Sequence, residues 1–484
     1  MERKNAWKTY DEKDVKALEE LCDEYKDYLF KGKTEREGVK YIVDAAVKAG
    51  YRDINDIIEK GESLKAGDKV YAVNMGKTVA MFNIGSEPIE QGMNILGAHI
   101  DSPRMDIKQN PLYEDSELAY LDTHYYGGIK KYQWVTLPLA IHGVFAKTDG
   151  SVVEFNIGED ENDPVFCVTD ILIHLAAEQM DKKAAKAVEG EALDLLIASR
   201  PFVISNSEDD GAEDSDDAKK NDKKNEKDMV KKQVLDILEK KYGLKEEDFI
   251  SAELEVVPAG KPRDMGIDRS MILAYGQDDK VCAFTSLKAM LNVEEVKKTS
   301  CTLLVDKEEI GSVGATGMQS RFFENAVAEI LNLLPKKDSK ISDELRLRRC
   351  LTSSNMLSSD VSAGYDPLYG SFFEKKNAAY LGRGMVFNKF TGARGKSGSN
   401  DANAEYIGKL RGILEGNHVY YQTAELGKVD VGGGGTIAYI LALYGMNVID
   451  CGVAVLSMHA PWEVTSKADI YETEKGYEAF LREA

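Results

Sequence analysis

Residues 278–309 read DDKVCAFTSLKAMLNVEEVKKTSCTLLVDKEE. The first half, from Asp278 through VCAFTSLKAMLN, has the length and apolar content of a helix. CTLLVD at 301–306 is a short apolar run of the kind that fills a buried strand. Helix then buried strand is the unit from which α/β sheets are built. The same alternation continues towards the C-terminus. Helical patterns cover 321–334, 401–414 and 436–444. The apolar run MNVIDCGVAVLSM at 446–458 reads as one or two core strands, and 466–482 as a final helix. Towards the N-terminus, 12–30 and 35–49 are helical, the second ending near Gly50. Segments 69–73, 78–83 and 94–100 read as strands, the last being NILGAHI. Strands alternating with helices at this spacing predict a doubly wound sheet.

Between these halves the texture changes. WVTLPLAIHGVFA and SVVEFNIG are β-rich, and VKKQVLDILEKKYGL has the pattern of an amphipathic helix. The stretch SEDDGAEDSDDAKKNDKKNEKD at 207–228 has almost no apolar residue and reads as a flexible, solvated connector. The plan is one α/β domain assembled from residues 1–104 and 255–484, interrupted by a β-rich insertion at 105–254.

A chain of 484 residues is too long for one ordinary core, and 43% apolar residues suffice for a substantial one. The net charge of −21 argues against nucleic acid and anionic membrane as partners. No stretch approaches 18 apolar residues, so no membrane span is expected. The charged start, MERKNAWKTYDEKDV, lacks the apolar core of a signal peptide. Six scattered cysteines with no CxxC pair suit reduced thiols, and the expected location is cytoplasmic.

Five places carry residues suited to metal chemistry. His99 and Asp101 form H-x-D at the end of an apolar strand, where open α/β sheets bind ligands. A carboxylate two residues on lies on the same side of extended chain and can hold the second ring nitrogen. A packed structural histidine is the alternative. Asp278 and Asp279 are either a helix cap with a first-turn acid or a source of a bridging carboxylate. Glu308 and Glu309 leave a buried strand for IGSVGATG, and adjacent acids there point apart. One can ligate while the other reaches a water; a solvated turn is the alternative. Asp360 lies in SSNMLSSDVSAGYDP, and His459 ends VAVLSMH, where a polar group without a partner is unexpected. Two histidines and three carboxylates suit a carboxylate-bridged pair of divalent ions, with a further carboxylate as base.

AHIDSPR, DDKVCAF, DKEEIGS, SSDVSAGYDP and SMHAPWE, in this order, resemble the aspartyl aminopeptidase and vacuolar aminopeptidase I family of dinuclear zinc aminopeptidases. The resemblance spans nearly the whole chain and includes a β-rich insertion in the same place. It implies a zinc-peptidase-like mixed sheet, with His99, Glu309, Asp360 and His459 as metal ligands and Asp278 as the bridge. Asp279 is then the less expected ligand. Asp101 supports His99, and Glu308 takes a proton from the bridging water and passes it to the leaving amine. The implied activity is removal of N-terminal residues from peptides by two divalent ions, zinc by default, with cobalt or manganese also suited to such ligands. The implied assembly is a tetrahedral dodecamer built from dimers, with the insertion as dimerisation domain. A histidine from that insertion enters the neighbouring subunit's site. His174 in ILIHLAAEQ is the better match, and His142 in LPLAIHGVF its competitor. Lys389 and the VGGGGTIAY run, with Gly434 and Gly435, fall where the family contacts substrate. Glycines there allow close backbone approach, or simply a tight strand–helix turn.

There are departures from the family pattern. Its Arg-Leu-Asp-Asn is here Gly276-Gln277-Asp278-Asp279, and the histidine-rich segments of eukaryotic relatives are absent from a chain with only six histidines. These bear on substrate preference rather than on the metal set. The competing readings are a glutamyl- or leucyl-type tetrahedral aminopeptidase with the same metal logic, and a non-catalytic cage or cargo protein keeping the fold alone.

Overall fold

The computed structural model describes residues 4–202, 227–336 and 340–484. The polar stretch at 207–228 lies, but for its last two residues, outside the described residues. The chain divides into two compact units, Met1–Ser102 with Lys261–Ala484, and Pro103–Gly260.

The first unit is built on a nine-stranded mixed sheet. At its centre Met93–His99 runs parallel to both Thr299–Val305 and Asn355–Ser359, and Asn355–Ser359 runs parallel to Asn447–Gly452. Thr78–Asn83 and Met385–Asn388 enter antiparallel on either side, which makes the sheet mixed. The central strands are apolar throughout because both faces are covered. Along Met93–His99, Leu96 and Ala98 face one core. That core is shared with Leu18 and Tyr25 of the helix Glu12–Lys31 and with Phe284 and Tyr477 of the helices Gln277–Asn292 and Lys467–Glu483. Met93 and Ile95 face a second core, with Phe323 and Ile330 of the helix Phe322–Leu333. Side chains of period two are thus split between two helical layers.

The long apolar run at 446–458 divides between two sheets. Asn447–Gly452 joins the nine-stranded sheet, whereas Ala454–Leu456 joins a small sheet ordered Arg263–Met265, Met271–Ala274, Glu463–Ser466, Ala454–Leu456, Ser362–Ala363. This second sheet has no counterpart in the sequence reading, since its strands are two to four residues long and carry no pattern of their own.

The second unit carries a six-stranded sheet in the order Val152–Ile157, Leu139–Ala146, Ala252–Pro258, Arg104–Asp115, Leu118–Tyr126, Leu195–Ala198. Every pair in it is antiparallel. The division falls at 102/103 and 260/261 rather than 104/105 and 254/255, because Ala252–Pro258 pairs wholly within this sheet. The helix Met229–Tyr242 ends on Gly243 at φ +66°, a left-handed cap. Among the described residues, no helix is long and apolar enough to cross a membrane.

Candidate metal centre

The parallel strands deliver their polar residues to one edge of the sheet. His99 ends Met93–His99, Glu308 and Glu309 follow Thr299–Val305, and Asp360 follows Asn355–Ser359. These are carboxyl ends, where open α/β sheets bind ligands. The small sheet supplies the rest: Asp278 follows Met271–Ala274, and His459 follows Ala454–Leu456.

Asp278 occupies the middle. Its Oδ1 is 3.4 Å from His99 Nε2, and its Oδ2 is 3.3 Å from His459 Nε2. Asp360 Oδ1 stands 4.0 Å from His99 Nε2, and Glu309 Oε2 3.5 Å from His459 Nε2. The two oxygens of one carboxylate therefore face two different histidine–carboxylate pairs. Asp278 and Asp279 have non-helical dihedrals and are joined by a cis peptide bond; regular helix starts after them. Asp279, the last residue before the regular helix, turns Oδ2 to the His99 amide rather than to the first turn, so the helix-cap reading of the pair is not what the structure shows.

Asp101 ties the site together. Its Oδ1 lies 3.2 Å from His99 Nδ1 and accepts from the Glu308 amide at 3.1 Å, while its Oδ2 accepts from the Glu309 amide at 3.2 Å. Holding Nδ1 leaves Nε2 directed at Asp278. The Glu308–Ile310 turn is set by Lys307 and Gly311, at φ +70° and +95°. Asp279 Oδ2 accepts from the His99 amide at 3.3 Å.

The electrostatics are those of several acids buried side by side. Burial pushes the carboxyl groups of Glu309, Asp360 and Asp279 well above their ordinary range, and neighbouring carboxylates add to the effect. Burial raises Glu308 to about 7. For Asp278, burial acts in the same direction, but the two imidazoles overcome it and hold the group below the usual carboxylate range. The buried oxygens Glu309 Oε1 and Asp279 Oδ1 have no hydrogen-bond partner. Buried carboxylates are retained when paired or coordinating a metal, so the donor set fits divalent cations. Two ligand groups lie within 4.8 Å: His99 with Asp278 and Glu309, and His99 with Asp279 and Asp360. Asp279, which the resemblance sets aside, thus stands within reach of one half of the centre.

Asp278, Glu308, Glu309, Asp360 and His459 line one wall of a cavity of about 350 Å³. Asn388, Thr391, Thr436 and Asp450 join the glycines 433–435 on the other walls. Gly434 and Gly435 are among these lining residues. Lys389 is instead held at the surface, its Nζ paired with Asp401, while its neighbours Asn388 and Thr391 line the cavity. In the second unit, His142 is buried, with Nε2 3.2 Å from Glu159 Oε1, as in a packed structural histidine. His174 is exposed on the turn Ile173–Leu175, between Ile173 and Leu175, which are 69% and 68% exposed. Sequence reasoning missed Asp450, Thr436, Asn388 and Glu463. Only Glu463 carries a signal, four residues after His459 in HAPWE.

Fold and site together define a metal-dependent hydrolase of the α/β class. The sequence profile of the aminopeptidase I zinc metalloprotease (M18) family matches residues 28–481, and the chain belongs to that family. It is 61% identical over 480 residues to a probable M18 family aminopeptidase 1 of Clostridium acetobutylicum, covering 99% of this chain and 98% of that protein. The crystal structure of aminopeptidase I from that organism matches with a TM-score of 0.89 at 59% identity, covering 100% of this chain and 99% of that one. An M18-family aminopeptidase structure from Thermotoga maritima matches with a TM-score of 0.90 at 42% identity over the full length of both chains.

Proposed function

We propose that this chain hydrolyses the N-terminal residue from peptides at a centre of two divalent metal ions, of which zinc is the family's metal. The carrying observation is Asp278, whose two oxygens face His99 and His459 respectively. His99, Asp360 and Asp278 would hold one ion, and His459, Glu309 and Asp278 the other. When bound, such a pair polarises a carbonyl and acidifies a water. Glu308 is the general base. Its main chain is anchored on Asp101 and its side chain lines the cavity. It takes a proton on its carboxylate and delivers it to the leaving amine nitrogen. The glycines 433–435 offer main-chain groups along which an extended substrate can lie.

The Pro103–Gly260 unit serves as the dimerisation domain. Its exposed apolar segment, with Ile171, Leu172, Ile173 and Leu175 each 47% exposed or more, is a contact surface for a second copy. We assign His174 as the residue that this surface sends into the neighbouring site of a dodecamer, with Lys389 as a substrate contact. Six unpaired cysteines, five of them buried, suit the reducing cytoplasm.

The test is a panel of N-terminal aminoacyl substrates assayed with metal-loaded, chelator-stripped and reloaded protein, beside Glu308→Gln. Activity should vanish on stripping and return on reloading. Glu308→Gln should keep its metal and lose on the order of 10²–10⁴-fold in kcat. Full activity in a metal-replete Glu308→Gln would remove Glu308 as the base.

A further inference from the structure

Glu463 opens the strand Glu463–Ser466 and is 1% exposed. Its carboxylate touches the metal centre only through the main chain. Oε1 accepts from the His459 amide at 2.7 Å, and Oε2 accepts from the Asp278 amide at 3.0 Å. One rigid group thus joins the backbones of the bridging residue and of a histidine 181 positions away in the chain.

The His459 backbone needs such a hold. His459 lies at φ +63° and Ser457 at φ +60°, in the left-handed region that residues with a Cβ rarely adopt. A buried amide must still find an acceptor, and the Glu463 carboxylate supplies it. Glu463 is itself fixed. Its carbonyl accepts from Gln277 Nε2 at 2.7 Å, and Gln277 Oε1 accepts from Thr465 Oγ1 at 2.5 Å on the same strand. Gln277 is fully buried and immediately precedes Asp278. The strand also pairs antiparallel with Met271–Ala274, with Glu463 opposite Ala274.

Two other ligand segments are held in a similar way, by Asp279 on the His99 amide and Asp101 on the Glu308 and Glu309 amides, whereas the Asp360 amide donates to the Cys451 carbonyl. In the half formed by His459, Glu309 and Asp278 Oδ2, Asp101 holds Glu309, and Glu463 holds His459 and the shared Asp278.

We propose that Glu463 is a positioning residue, a carboxylate staple across the Asp278 and His459 backbones that pre-sets this half of the centre. The inference rests on the reading that these residues hold a metal. Outer residues that orient ligands typically change metal affinity about 10–100-fold when replaced. Gln at this position keeps the size of the side chain but turns an NH₂ group towards one of the two amides, so one link is lost and a donor faces a donor.

The experiment uses the full chain, stripped of metal and titrated with Zn²⁺ against a chromophoric chelator, with Co²⁺ absorption as a second readout. Wild-type protein should bind two ions. Glu463→Gln should bind the ion on the His459 side about tenfold or more weakly and the other ion less weakened, with an altered Co²⁺ spectrum and kcat lowered more than KM. Val464→Ala, which trims a buried apolar side chain on the same strand, is the control: it should lower the melting temperature and leave both affinities intact. If Glu463→Gln does not fold, Glu463→Asp, whose shorter side chain reaches one amide only, is read by the same criteria. Two unchanged affinities and an unchanged spectrum would overturn the staple, as would an equal loss in Val464→Ala. Wild-type protein that takes up no metal would overturn the metal reading itself.

Discussion

Asp101 shows how one side chain sets several others. Its carboxylate holds the amides of both Glu308 and Glu309, while the His99 ring Nδ1 lies 3.0 Å from its main-chain carbonyl oxygen and 3.2 Å from its Oδ1. Asp101→Asn keeps the shape and the main-chain contact to His99, but turns an NH₂ group towards one of the two amides. It should weaken metal binding about 10–100-fold and lower kcat in the remaining holoenzyme, measured by chelator competition and steady-state kinetics. Unchanged affinity would make Asp101 a bystander. At this scale much of the site was legible. H-x-D at a strand end and adjacent glutamates before a glycine-rich turn have spacings that chemistry requires. Glu463 was not, because its role is to accept two main-chain amides, and any buried acceptor near a turn can do that. Nor could spacing show that Asp279 lies beside His99, since this follows from non-helical dihedrals at a point where the sequence pattern looks helical.

Between elements, Gly452 marks the place where the run at 446–458 leaves one sheet for the other. A Cβ there would meet the Asp360 carbonyl oxygen at 2.1 Å and Cys282 Sγ at 2.8 Å. Gly452→Ala should destabilise the fold by about 1–3 kcal/mol and, by moving Asp360, weaken the ion on the His99 side. Thermal unfolding and metal titration check both parts. The helices and long central strands were legible because their apolar periodicities are long. The break at Gly452 was not, since an apolar run does not say which sheet each half joins. The C-terminal helix carries a pH-dependent element. Burial and then Glu478 raise Glu474 to about 8, and Asn292 Nδ2 donates to both carboxylates at 2.8 Å. An unfolded glutamate titrates near about 4.3. Between these values the folded chain keeps a proton that the unfolded chain has lost. Stability from this pair therefore falls as pH rises from about 4.3 to about 8 and levels off above. Glu478→Gln removes the like charge and should flatten the loss of melting temperature between pH 6 and pH 8.5. An unchanged slope would show that Glu478 does not raise Glu474.

Over the whole molecule, the metal centre joins segments from 99 to 459 and two different sheets. Ions that bind the folded chain alone add stability in proportion to the logarithm of their saturation. Chelation should therefore lower the melting temperature as well as abolish activity, and zinc should restore both. In the Pro103–Gly260 unit, Leu175→Glu places a charge on the exposed apolar segment. It should shift native mass towards smaller species while leaving metal per chain unchanged; an unaltered mass would remove that segment from the assembly. The α/β class and an intervening β-rich segment were legible from changes in texture along the chain. The small sheet that delivers Asp278 and His459 was not, because strands of three or four residues take their structure from their neighbours. The central claim is that Asp278 bridges two ions. Anomalous diffraction at the zinc edge from crystals of the purified holoenzyme, with metal analysis of the same sample, measures this directly. The expected result is two zinc ions per chain, about 3.5–4 Å apart, one on each oxygen of Asp278. A single ion, or a pair placed away from Asp278, would contradict it.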